Sequence, residues 1–328
     1  MQKNKIALNI ALSLACLVWA GAAPAQEAKK DAPPAAPADL PDWAYPRLPP
    51  PVVWDAVVQK QMPGSTRHYT QAQIEDDFAP PDWYPEEHPP MPEVVSHGRP
   101  PAVKACMKCH LASGDGHPES SSIAGLPLGY FVRQLTAFKT GARGNPRAVS
   151  MIPIAKAVTD EEALAAANYF ATLKPTVWFT VVESATVPKT FVGQGAMRFA
   201  APGNETEPIG NRIIELPRDP ARAESRDPHS GFIAHVPPGS VEKGKVLVIT
   251  GGGGRTLACA TCHGANLKGD KEVPSIVGRA PQYVFRQLND IKAGRRKGAE
   301  VEAMQPVVAN ISAEDMIAIA AYLASREQ

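Results

Sequence analysis

Apolar side chains recur with a period near 3.6 in two segments far apart in the chain. Tyr130, Phe131, Leu135 and Phe138 do so before Gly141, and Tyr283, Val284, Leu288 and Ile291 before Gly294. Each pattern predicts an amphipathic helix that stops at the glycine. A further helix is predicted from Thr159 and another from Ser312, because Glu162 and Asp315 stand three residues on as capping-box partners. The pattern predicts Leu164, Ala167 and Ala171 as inward positions in one, and Ile317, Ala320 and Ala321 in the other. Residues 176–240 break this pattern. Short β-prone runs at 177–182, 212–216, 232–236 and 245–249 are separated by Pro, Gly and Asn, which predicts an irregular insertion with a few strands. Gly251, Gly252, Gly253 and Gly254 lack the lysine and hydroxyl context of a phosphate loop and read as a flexible link into the segment that begins at Cys259.

The helical segments belong to a repeat that runs without a gap at an offset of 153 residues. Tyr130 pairs with Tyr283, Arg133-Gln134-Leu135 with Arg286-Gln287-Leu288, and Met151 with Met304. Cys106-Met107-Lys108-Cys109-His110 pairs with Cys259-Ala260-Thr261-Cys262-His263. In a C-x-x-C-H segment, two thiols one helical turn apart can add to both vinyl groups of one haem, with the histidine beneath the iron. A second axial ligand has to come from elsewhere. Met151 and Met304 follow their histidines at the same separation, so each iron takes a His/Met pair and has no vacant position for substrate. The cofactor-binding set is therefore Cys106, Cys109, His110 and Met151, with Cys259, Cys262, His263 and Met304; the iron ligands are His110, Met151, His263 and Met304. Arg133 and Arg286 are candidates to pair with haem propionates, and Tyr130 and Tyr283 to pack on the haem or bond a propionate. His68, His88, His97, His117, His229 and His235 have no repeat partner and read as surface or hydrogen-bonded histidines.

A four-cysteine zinc site would need both C-x-x-C pairs in one place and would leave the duplicated methionine unexplained. Cys16, the fifth cysteine, lies in a leader: Lys3 and Lys5, an apolar stretch over 6–20, then Ala23-Pro24-Ala25, which suits a cleavage site. Residues 1–25 thus read as a signal peptide and place the mature chain in the periplasm. Residues 26–96 form an Ala/Pro-rich tether followed by a Pro/Trp-rich extension whose Trp43, Trp54, Trp83 and Tyr84 are expected to wrap over a module. The formal charge of +1 gives no reason to expect a nucleic-acid partner.

The C-x-x-C-H motifs, Ile-x-Gly at Ile123 and Ile276, Tyr-x-x-Arg-Gln-Leu, Gly-x-Arg at Gly141 and Gly294, the matched methionines and an Ala-rich last helix together resemble the two-domain, dihaem class I cytochromes c, similar to the cytochrome c4 group. The resemblance covers about half the chain. It implies a mainly α fold: cytochrome c domain 1 at 97–175 and domain 2 at 241–328, joined by the partly β insertion at 176–240. It also implies two covalent haem c groups and single-electron transfer. The donor would be a quinol-oxidising complex or dehydrogenase, the acceptor a terminal oxidase or reductase, with peripheral membrane association through those partners. In that family a proline carbonyl fixes the proximal histidine; Pro274 matches, whereas Ser121 holds the equivalent place. Gly264 matches the glycine after the histidine, whereas Leu111 does not. The rival readings are a dihaem peroxidase, which needs a displaceable iron ligand, and a cytochrome subunit of a larger dehydrogenase complex. The chain is expected to be an electron carrier, not an enzyme.

Overall fold

The computed structural model describes residues 40–50 and 52–328. The leader with Cys16 and the tether up to residue 39 lie outside the described residues. Helices carry both repeats, and strands are confined to the extension and the insertion.

In the first repeat, α1 (Leu128–Lys139), α2 (Met151–Ala157) and α3 (Asp160–Thr172) pack together around Phe131, Ala166, Ala167 and Phe170. The start of α3 is set locally. The Thr159 hydroxyl accepts from the Glu162 N–H and the Glu162 carboxylate accepts from the Thr159 N–H, so two otherwise orphaned donors are satisfied.

The insertion contains a three-stranded sheet of β1 (Phe179–Glu183), β2 (Ile214–Pro217) and β3 (Phe232–Val236), in the order β1, β3, β2. The β1 and β3 strands run parallel, with Phe179 opposite Phe232, and β2 is antiparallel to β3, with Ile214 opposite His235. The β-prone run at 245–249 is not a strand. It lies in a helix, α4 (Ser240–Thr250), entered through Gly239 at φ 78° and ended by Gly251 at φ 75°. The cause is tertiary: α4 crosses the last helix so closely that a Cβ at Gly244 would sit 1.9 Å from the Ala318 carbonyl oxygen. Packing overrides the weak strand preference of the valines.

The second repeat is completed by α5 (Pro281–Lys292) and α6 (Ala313–Ala324), which pack on each other and on α4. Ser312 and Asp315 form the matching capping box. Its core also takes in the extension: Trp43 stacks at a tilt on Phe285, 4.6 Å between ring centroids, and the Tyr45 hydroxyl donates to Asp290 at 2.7 Å. Further along the extension, Trp83 donates its indole N–H to the Ser225 carbonyl of the insertion at 2.8 Å. Among the described residues, no helix is long and apolar enough to cross a membrane.

Candidate functional site

Each C-x-x-C-H segment forms one helical turn, Met107–His110 after Cys106 and Ala260–His263 after Cys259. A turn of helix puts positions i, i+3 and i+4 on one face, so both cysteines and the histidine point the same way. None of these four cysteines is in a disulfide. Burial pushes the Cys106 thiol up to about 12 and the Cys259 thiol up to about 11, with the neighbouring cysteine adding to it. Thiols held in that range are poor redox dithiols. Among the described residues no three His, Cys, Asp or Glu side chains gather in metal-binding geometry, so the two pairs do not combine into one site.

The imidazoles are fixed in equivalent ways. His110 Nδ1 lies 2.8 Å from the Ser121 carbonyl, and His263 Nδ1 lies 2.9 Å from the Pro274 carbonyl. A backbone carbonyl can only accept, so Nδ1 carries the proton and Nε2 keeps its lone pair for a metal. Burial lowers both ring pKa values, which keeps the rings in the neutral, ligating form. The residue after each histidine has positive φ: Gly264 at 79° and Leu111 at 62° with ψ 161°, a region that penalises a side chain. Leu111 is held there by burial against Trp178, Phe179 and Phe232 of the insertion. Met151 is the first residue of α2 and Met304 lies between two short helical turns, at 299–302 and 305–308. Both are partly buried.

The arginine candidates already have protein partners. Arg133 pairs with Glu272 at 2.7 Å and donates to its carbonyl at 2.9 Å. Arg286 is buried and donates to the carbonyls of Ala44 and Pro118 and to Glu119. A different pair occupies the junction of the repeats. Arg143 donates to Gln134, to the Tyr283 hydroxyl at 3.0 Å and to Gln287 at 3.0 Å. Arg296 donates to Gln287, to the Tyr130 hydroxyl at 3.1 Å and to Gln134 at 2.9 Å. These arginines are only 6% and 8% exposed, and Arg279, at 4%, donates to the Ser122 carbonyl. Among the described residues no carboxylate forms an ion pair with any of the three. Burying uncompensated guanidinium charge is costly, and an anion placed beside it removes that cost. The donor set therefore fits a group that carries carboxylates and attaches through paired thiols. Sequence reasoning recorded Gly-x-Arg as a motif but not this role; the signal available was its exact recurrence in the repeat.

The thiol pairs, neutral carbonyl-fixed imidazoles and unpaired buried cations define a covalent haem protein of the c type. The cytochrome c family model matches residues 241–327. A cytochrome c-554(548) of Halomonas halodenitrificans is 33% identical over 70 residues, which cover 21% of this chain and 84% of that protein. The thiosulfate dehydrogenase electron acceptor of Stutzerimonas stutzeri is 28% identical over 234 residues, 70% of this chain and 82% of that one. A cytochrome c4 of Pseudomonas aeruginosa is 34% identical over 77 residues, 23% of this chain and 37% of that one. The chain belongs to the cytochrome c family. It carries two covalently bound haem c groups and transfers electrons.

Proposed function

We propose that this chain is a periplasmic dihaem electron carrier that accepts single electrons from a dehydrogenase acting on an inorganic sulfur compound and passes them to a respiratory acceptor protein. Haem iron supplies reversible one-electron chemistry between the ferric and ferrous states. The observation that carries the reading is the duplicated buried histidine, its Nδ1 proton fixed by a carbonyl at 2.8 Å in one repeat and 2.9 Å in the other.

Cys106 and Cys109 would hold one haem with His110 and Met151 as axial ligands; Cys259 and Cys262 would hold the other with His263 and Met304. The tandem cytochrome domains then lie at 97–175 and 241–328. Arg143, Arg296 and Arg279 are assigned to the propionates ahead of Arg133 and Arg286, because the first three are buried without a carboxylate partner. Tyr130 and Tyr283 orient the guanidiniums through their hydroxyls. Two closed coordination shells suit a carrier better than a peroxidase. The sulfur dehydrogenase is chosen as donor because the similarity to the thiosulfate dehydrogenase electron acceptor extends over 234 residues, 70% of this chain and 82% of that one.

The test combines a haem count on the mature chain, exposure of the reduced protein to carbon monoxide, and stopped-flow reduction by a thiosulfate dehydrogenase. Two haems, no carbon monoxide shift and fast reduction are expected. Binding at one haem would move the peroxidase reading ahead.

A further inference from the structure

The two attachment turns carry different charges. Lys108, between the first pair of cysteines, is buried and bonds Glu75 of the extension at 3.0 Å and the Ile74 carbonyl at 3.2 Å. Arg226 of the insertion bonds the same carboxylate at 2.8 Å and donates to the Lys108 carbonyl at 2.7 Å. Gln194 also donates to Glu75. A buried lysine and a partly buried arginine thus share one carboxylate behind the first motif, a net charge of one positive. In the second repeat Lys108 is replaced by Thr261, which is exposed. Asp270, exposed, stands there in the place of His117, so the second attachment turn has no cation between its cysteines and an acidic side chain where the first repeat has a histidine.

We propose that the Glu75–Lys108–Arg226 cluster sets the order of reduction, making the haem of the first repeat the higher-potential one. The inference rests on the two-haem reading. A fixed positive charge in a low-dielectric surrounding stabilises the ferrous iron over the ferric, which carries one more positive charge, and exclusion of water acts in the same sense. An electron delivered by a reduced dehydrogenase therefore settles on the first haem, one ferric iron becoming ferrous and no bond being made or broken. The second haem, whose motif is open to solvent, fills last and empties first. Lys108, Arg226 and Glu75 act through the attachment turn and are positioning residues.

The test is a potentiometric titration of the holoprotein at neutral pH, each haem being identified by its spectrum in the Met304→Ala and Met151→Ala backgrounds. Lys108→Met leaves Glu75 and Arg226 as a one-to-one pair and should lower the midpoint of the first haem; Lys108→Arg should restore it. Glu75→Gln removes the anion and should raise the same midpoint. The second haem should be unmoved by all three. A lost fold cannot produce shifts of opposite sign confined to one haem. A higher midpoint at the second haem of the wild type, or shifts of one sign in Lys108→Met and Glu75→Gln, would overturn the proposal while two haems per chain still uphold the electron carrier. If Lys108→Met fails to retain haem, the Glu75→Gln shift alone decides.

Discussion

Arg143 and Arg296, equivalent residues of the two repeats, face each other across an antiparallel bridge in which the Gly144 N–H donates to the Arg295 carbonyl at 3.0 Å and the Lys297 N–H to the Ala142 carbonyl at 2.8 Å. Each guanidinium then crosses to the tyrosine and glutamine of the opposite repeat. The repeats are thereby joined by a locally two-fold arrangement of main-chain and side-chain bonds.

Replacing one of these arginines separates its two roles. In Arg296→Met, Gln134 and Gln287 still accept from Arg143, but the Tyr130 hydroxyl loses its donor. The stability cost should be about 2 kcal/mol, the usual range for a buried hydrogen-bonding group left alone. Both haems should remain attached, since neither cysteine pair is touched. Haem midpoints should fall, because the buried cation proposed for the propionates has gone. Urea unfolding and potentiometry on one sample check both parts; an unchanged midpoint would remove Arg296 from the haem environment.

Gly244 marks the α4–α6 crossing, and there helix propensity and packing oppose each other. Alanine in a helix gains about 1 kcal/mol over glycine. Its methyl would lie 1.9 Å from the Ala318 oxygen, which is main chain and cannot swing away. Overpacking costs about 1–3 kcal/mol, with the upper end expected against main chain, so Gly244→Ala should destabilise the second repeat by about 2 kcal/mol net. A stabilised variant in urea would show that the helices separate easily.

The axial assignment has a direct spectroscopic consequence. Met304→Ala should leave two thioethers at Cys259 and Cys262 while turning the second haem high-spin and open to carbon monoxide; Met151→Ala should do the same at the first. An unchanged spectrum in either variant would exclude that methionine as a ligand.

How far each of these features is legible in the sequence depends on the range of the interaction that makes it. The attachment turns and the capping boxes at Thr159 and Ser312 are made within five residues, so spacing alone identifies them. The helix over Ser240–Thr250 is decided by Ala318 and Tyr322 in another helix, and its valines read as strand. Arg143 and Arg296 stand out as a repeated motif, but their function arises only when the repeats meet. The Glu75 cluster is the least legible, since its cations lie 33 and 151 residues from Glu75 and neither recurs at the 153-residue offset.

The pH dependence of stability should be dominated in part by Glu215, on β2. It is 1% exposed; Oε1 accepts the Gln282 N–H at 2.8 Å near the start of α5, and Oε2 has no partner. Burial pushes its carboxyl up from 4.5 to about 8, against the pull of the Gln282 N–H and of Arg286. Between these limits the folded chain keeps a proton that the unfolded chain has released. Its contribution is therefore present below pH 4.5 and is lost as pH rises towards 8. The loss is on the order of a few kcal/mol. Glu215→Gln keeps the acceptor for Gln282 and cannot ionise, so it should match the wild type near pH 4.5 and exceed it in stability at pH 8 and above. Urea unfolding of both holoproteins at these two pH values checks the sign; parallel pH profiles would show that Glu215 is ionised in the folded chain.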